Sequence, residues 1–317
     1  MDKVVENLGR MIPATSSLTT EEALEVINHV YHDGRIDPGE ADALFELNAT
    51  LGGTNPAWDA RFIEAVKDFI LGESEGPRHW VTDAESNWLI TNIERDGQIC
   101  PVSELELLLR ILREAEGAPL ALGHFTMRIA CDRIIDRGKA VAEDIERVRR
   151  ALYAAGSDGG TWVSRFEAEM MFRTNDAVAY SANDKGWSDL FARAIANHLM
   201  ARAHPNPVGE LQALAREAWL ADTDVSVKST FNNLVGGLSS GWFKSVTHDE
   251  AKAQAARAAM NEAAARAAEQ IDEPEVNWLL RRIRKDTSVS PAERALVEFL
   301  KDEAPGFSEG ILAAAAA

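Results

Sequence analysis

The apolar positions of this chain recur at spacings of three and four. In "TTEEALEVINHVYH" Ala23, Ile27, Val30 and Tyr31 fall on one face of a helix. "SELELLLRILREA" repeats the pattern through Leu105, Leu108, Leu109 and Leu112, and "ARFIEAVKDFIL" and "DLFARAIANHLM" read the same way. Alternating apolar and polar runs of the β type are almost absent. The pattern predicts an all-α protein.

Three blocks of this helical text occur twice, in the same order. "DPGEADALFELN" at 37–48 aligns with "SRFEAEMMFRTN" at 164–175, an offset of 127. "WDARFIEAVKDFIL" at 58–71 aligns with "WSDLFARAIANHLM" at 187–200, an offset of 129. "ESNWLITNIERDGQICP" at 85–101 aligns with "EVNWLLRRIRKDTSVSP" at 275–291, an offset of 190. Recurrence in fixed order predicts two tandem homologous helical bundles, 18–119 and 139–306. An N-terminal extension (1–17), a bridging helix (120–138) and a flexible tail (307–317) complete the plan. The jump in offset from 129 to 190 places an insertion in the second bundle, at about 201–270. Its Ala-rich part, "DEAKAQAARAAMNEAAARAAEQ", is strongly helix-forming. Its Gly-rich part, "FNNLVGGLSSGWFKS", puts apolar residues where a loop is expected. Phe231, Leu234, Val235, Trp242 and Phe243 are therefore the candidate docking residues for a protein partner. The matched tryptophans, Trp58 with Trp187 and Trp88 with Trp278, are expected in the core.

A recurrent glutamate punctuates the helices. In Asp37-Pro38-Gly39-Glu40, Thr82-Asp83-Ala84-Glu85, Ser164-Arg165-Phe166-Glu167, Asp272-Glu273-Pro274-Glu275 and Ser290-Pro291-Ala292-Glu293, an oxygen-bearing residue precedes Glu by three. That is capping-box spacing: the first side chain accepts from an unpaired N–H of the opening turn, and the glutamate reaches back to the cap's own N–H. Pro38 and Pro291 fall at the first helical position, where no donor is missed. Each box follows an apolar residue (Ile36, Val81, Val163, Ile271, Val289), and the glycine of a preceding Asp-Gly suits the left-handed stop of the helix before it. An EF-hand reading of the same text fails in register. With Asp33 at the fifth position Glu40 reaches the twelfth, but His29 and Tyr31 then occupy the first and third. In the next turn Asn92, Glu94 and Asp96 begin well, yet Ser103 takes the twelfth place and Glu104 lies one beyond.

A helix ending in Asp-Gly, an apolar residue and a capped helix carrying Glu, twice per unit, resembles the TerB-like fold of tellurite-resistance and stress-response proteins. The matching text is "VINHVYHDGRIDPGEADALFEL" with "LITNIERDGQICPVSELELLLRILREAEGAP", and "RALYAAGSDGGTWVSRFEAEMMF" with "LLRRIRKDTSVSPAERALVEFLKDEAPG". Thr287 departs from the pattern, standing where the glycine belongs. The resemblance implies action by association rather than catalysis, possible weak binding of a divalent cation such as Ca or Mg, and a role in stress response. The matching acidic positions are Asp33, Glu40, Asp96, Asp158 and Glu167.

The 317 residues are 46% hydrophobic and 26% charged, as in a globular protein long enough for two domains. A net charge of −18 argues against nucleic-acid backbones and anionic membranes and suits cationic partners or divalent ions. Cys100 and Cys131, the only cysteines, form neither a CxxC pair nor a disulfide framework. "MDKVVENLGRMIPATSS" has no continuous apolar run, so no signal peptide and no membrane span is expected, and the chain reads as cytoplasmic. Enzyme signals are weak. Gly237-Leu238-Ser239-Ser240-Gly241 matches the nucleophile-elbow pattern without the sheet that elbow needs. His29, His32, Asp33 and Glu25 could form a transition-metal site, although such histidines more often face solvent or cap a helix. The expectation is a non-enzymatic helical binding or scaffold protein, with a divalent-cation sensor or buffer as the alternative.

Overall fold

The computed structural model describes residues 25, 36–51, 55–72, 79–95, 100–154, 162–201, 273–283 and 289–303. These residues are all-α. They form α1 (Pro38–Leu51), α2 (Pro56–Gly72), α3 (Asp83–Glu94), α4 (Val102–Glu114), α5 (Leu120–Arg137), α6 (Ala142–Tyr153), α7 (Arg165–Val178), α8 (Lys185–Ala201), α9 (Glu273–Ile283) and α10 (Pro291–Glu303). The one β feature among them is an isolated bridge between Trp80 and Gly117.

Local side-chain chemistry starts at least five of these ten helices. Asp37 N–H donates to Glu40 Oε2 at 2.9 Å while Glu40 N–H donates to Asp37 Oδ1 at 2.8 Å, with Pro38 in the first helical position. Thr82 with Glu85 opens α3 and Ser164 with Glu167 opens α7 through the same reciprocal pair. Ser290 and Glu293 do so for α10, at 2.7 and 3.2 Å. Four of the five boxes expected from sequence are thus formed, and the fifth, at Asp272, lies outside the described residues. Asn55 caps α2 by accepting from the amides of Ala57 and Trp58. α5 ends at Gly138, whose φ of 72° is a left-handed conformation that a side chain would strain.

The chain divides into two compact units. One comprises Met1–Arg133 with Glu146–Asp158, the other Ile134–Ile145 with Gly159–Ala317. The division therefore falls inside α5 and again inside α6. In the first unit α1 packs on α2 and α3, and α2 packs on α4. In the second, α7 packs on α8, and α8 on α10.

Each unit closes around an aromatic cluster. In the first, Phe45 meets Phe62 edge-on at 5.2 Å and Trp88 at 5.4 Å, and Trp58 lies 6.5 Å from Phe62. In the second, Phe172 meets Phe191 edge-on at 5.0 Å and Trp278 at 5.5 Å, and Trp187 lies 6.5 Å from Phe191. These residues stand at the offsets of 127, 129 and 190 read from the sequence. Trp58, Trp187 and Trp278 are buried, as expected of core aromatics, whereas Trp88 is half-buried. Edge-to-face pairs of this kind add about 0.5–1.5 kcal/mol each beyond the area they bury.

Candidate functional site

Each unit carries two polar arrangements, one inside its aromatic core and one at the core's edge. In the first unit Asn48 is fully buried on α1. Its Oδ1 accepts from Trp58 Nε1 and from Ser103 Oγ, both at 3.1 Å, and its Nδ2 donates to Glu104 Oε1 at 3.0 Å. In the second unit Asn175, equally buried on α7, accepts from Trp187 Nε1 at 3.2 Å and donates to Ser290 Oγ at 3.1 Å. The second arrangement pairs a tryptophan with an acid. Trp88 Nε1 donates to Asp42 Oδ1 at 2.9 Å, and Trp278 Nε1 to Glu169 Oε1 at 2.8 Å. Asp42 and Glu169 again stand 127 apart. A buried indole N–H needs an acceptor, and these side chains supply it from the facing helix.

The two units differ in instructive places. Pro101 is the N-cap of α4 and has no side-chain oxygen to offer, so the hydroxyl that meets Asn48 comes from Ser103, two residues on. In α10 the N-cap is Ser290 itself, and its hydroxyl both receives the Glu293 amide and meets Asn175. Glu104 and Glu293 both occupy the third helical position, which shifts the correspondence there to 189, one less than the block alignment. A second difference lies beside the tryptophan–acid pair. Asn92 Nδ2 donates to the Trp88 carbonyl at 3.1 Å and to Asp42 Oδ1 at 3.4 Å, leaving Asn92 Oδ1 buried without a hydrogen-bond partner. At the corresponding place in the second unit Arg282 binds Glu169 Oε2 at 2.9 Å and lies 5.1 Å over the Phe172 ring.

Asn92 lines a cavity of about 300 Å³ within the first unit, together with Phe45, Glu46, Ala49, Arg95 and Glu104. Glu104 is buried, and Glu46 pairs with Arg95 at 3.2 Å on the exposed side. A smaller cavity of about 210 Å³ in the second unit is walled by Asn175, Trp187, Lys185 and the start of α10. Among the described residues no group of three or more His, Cys, Asp or Glu side chains converges as a metal cage.

Of the acidic positions implied by resemblance, Glu40 and Glu167 are described. Each spends a carboxylate oxygen on a backbone amide at the start of its helix, and they belong to different units. Asp33, Asp96 and Asp158 lie outside the described residues, as do Phe231, Leu234, Val235, Trp242 and Phe243, His29 and His32, and Ser239. Both cysteines are buried, and neither is in a disulfide. Burial pushes the Cys100 thiol well above its ordinary range, and the nearby Glu104 charge pushes the same way, so it is a poor nucleophile.

Charged groups elsewhere are also taken up by pairing. Glu106 on α4 receives Arg147 at 2.8 Å and Arg150 at 2.7 Å from α6. On α2, partial burial works against the charge of Lys67, yet hydrogen bonds to Glu64 and Asp68 outweigh it and hold the ammonium above its usual range. Sequence reasoning placed the capping glutamates but missed Asn48, Asn175, Asp42 and Glu169. Recurrence alone marks them: Asn48 with Asn175 and Asp42 with Glu169 hold matched offsets in a repeated block, which singles out the positions without showing what they meet.

No helix among the described residues is long and apolar enough to cross a membrane. No protein-family model, curated protein or solved structure matches the chain.

Proposed function

We propose that the chain is a tandem duplication of one helical unit, similar to TerB-like domains, and that it works in the cytoplasm by binding a protein partner, in a stress response, rather than by catalysis. One observation carries the reading. The same aromatic cluster, buried Asn–Trp bond and tryptophan–acid pair recur in both units at matched positions. Paired copies of one helical unit suit assembly, and Glu40 and Glu167, which could have been ligands, are engaged in beginning helices. In this reading Phe231, Leu234, Val235, Trp242 and Phe243 dock the partner. The test is co-purification from native cells with these five residues replaced by serine, at unchanged melting temperature. Loss of the co-purifying protein supports the reading, and undiminished recovery refutes it.

A second reading, a divalent-cation sensor or buffer, is favoured by Asn92 Oδ1, a buried oxygen with no hydrogen-bond partner beside Glu46 and Glu104. Such a site would have no counterpart in the second unit, where Arg282 stands in place of the Asn92 oxygen; in the first, Arg95 also lines the cavity but is paired with Glu46. Calorimetric titration of chelator-treated protein with calcium is the test. Heat that disappears in Asn92→Leu supports the site, and no heat at millimolar ion ends it.

A further inference from the structure

We draw no further inference here: the strongest candidate, the cavity of the first unit between α1, α3 and α4, rests on an acidic cluster beside one half-buried amide and belongs to the cation reading already proposed.

Discussion

Replacing Asn48 with alanine tests whether the buried asparagine holds the first unit together. The substitution removes three hydrogen bonds at once, those from Trp58 Nε1 and Ser103 Oγ and that to Glu104 Oε1. Each ordinary bond is worth about 1 kcal/mol net, and each buried partner left behind costs about 1–3 kcal/mol, more if it is charged. Allowing for partial relaxation, the loss should be about 3–6 kcal/mol, a large share of the roughly 5–15 kcal/mol available to a folded domain. Trp58→Phe is the milder companion. It keeps most of the ring and removes only the indole donor, leaving Asn48 bonded to Ser103, and should cost about 1–2 kcal/mol. Urea denaturation followed by near-ultraviolet circular dichroism and tryptophan emission is the assay, fitted as separate transitions because a chain of two units need not unfold in one step. Asn48→Ala should move one transition and Asn175→Ala the other. An Asn48→Ala protein whose transitions stay within about 1 kcal/mol of wild type would refute the reasoning.

Three further outcomes follow from the same geometry. Glu167→Ala, which breaks the box at the start of α7, should cost about 1 kcal/mol in urea denaturation, while Glu167→Gln keeps the reach to the Ser164 amide and should cost less; equal losses would count against the box. Ser86 is buried on α3 with its hydroxyl unpartnered, so Ser86→Ala should leave stability unchanged or raise it by about 1 kcal/mol, and a clear loss would mean the hydroxyl is bonded. Because burial raises the folded Cys100 thiol above its ordinary value of 9.0, the unfolded chain ionises first; stability is fully present below that value and falls as pH rises through it, by at most about 1.4 kcal/mol per pH unit. Cys100→Ala should flatten that decline relative to wild type in denaturation measured across the alkaline range, and parallel curves for the two proteins would remove Cys100 as its cause.

What the sequence revealed and what it hid divide along a physical line. Helix starts were legible because a capping box is written within four consecutive residues, as at Thr82–Glu85 and Ser164–Glu167. Helical class was legible from periodicity alone. The buried asparagines were not, since a polar residue in a helix reads as a solvent-facing one until the facing helix is known. Asn48 meets Trp58 across ten residues and Ser103 across fifty-five, distances that no local rule spans. The register change at α4 was hidden for a related reason: Pro101 offers no side-chain oxygen, and only the fold reveals that Ser103 supplies the hydroxyl. For the candidate site, the glutamates were visible as recurrent acids, and their use as caps rested on spacing the fold bears out at Glu40 and Glu167. The orphaned oxygen of Asn92 had no sequence signal beyond its place in the second Asp-Gly turn.

The interleaved boundary in α5 and α6 also governs the order in which the molecule can be built. Arg147 and Arg150, which neutralise Glu106 of the first unit, are translated after residues 134–145 of the second. During synthesis the Arg147 and Arg150 contacts to Glu106 can therefore close only after α6 has been made, so the first unit is completed by residues that follow the opening stretch of the second.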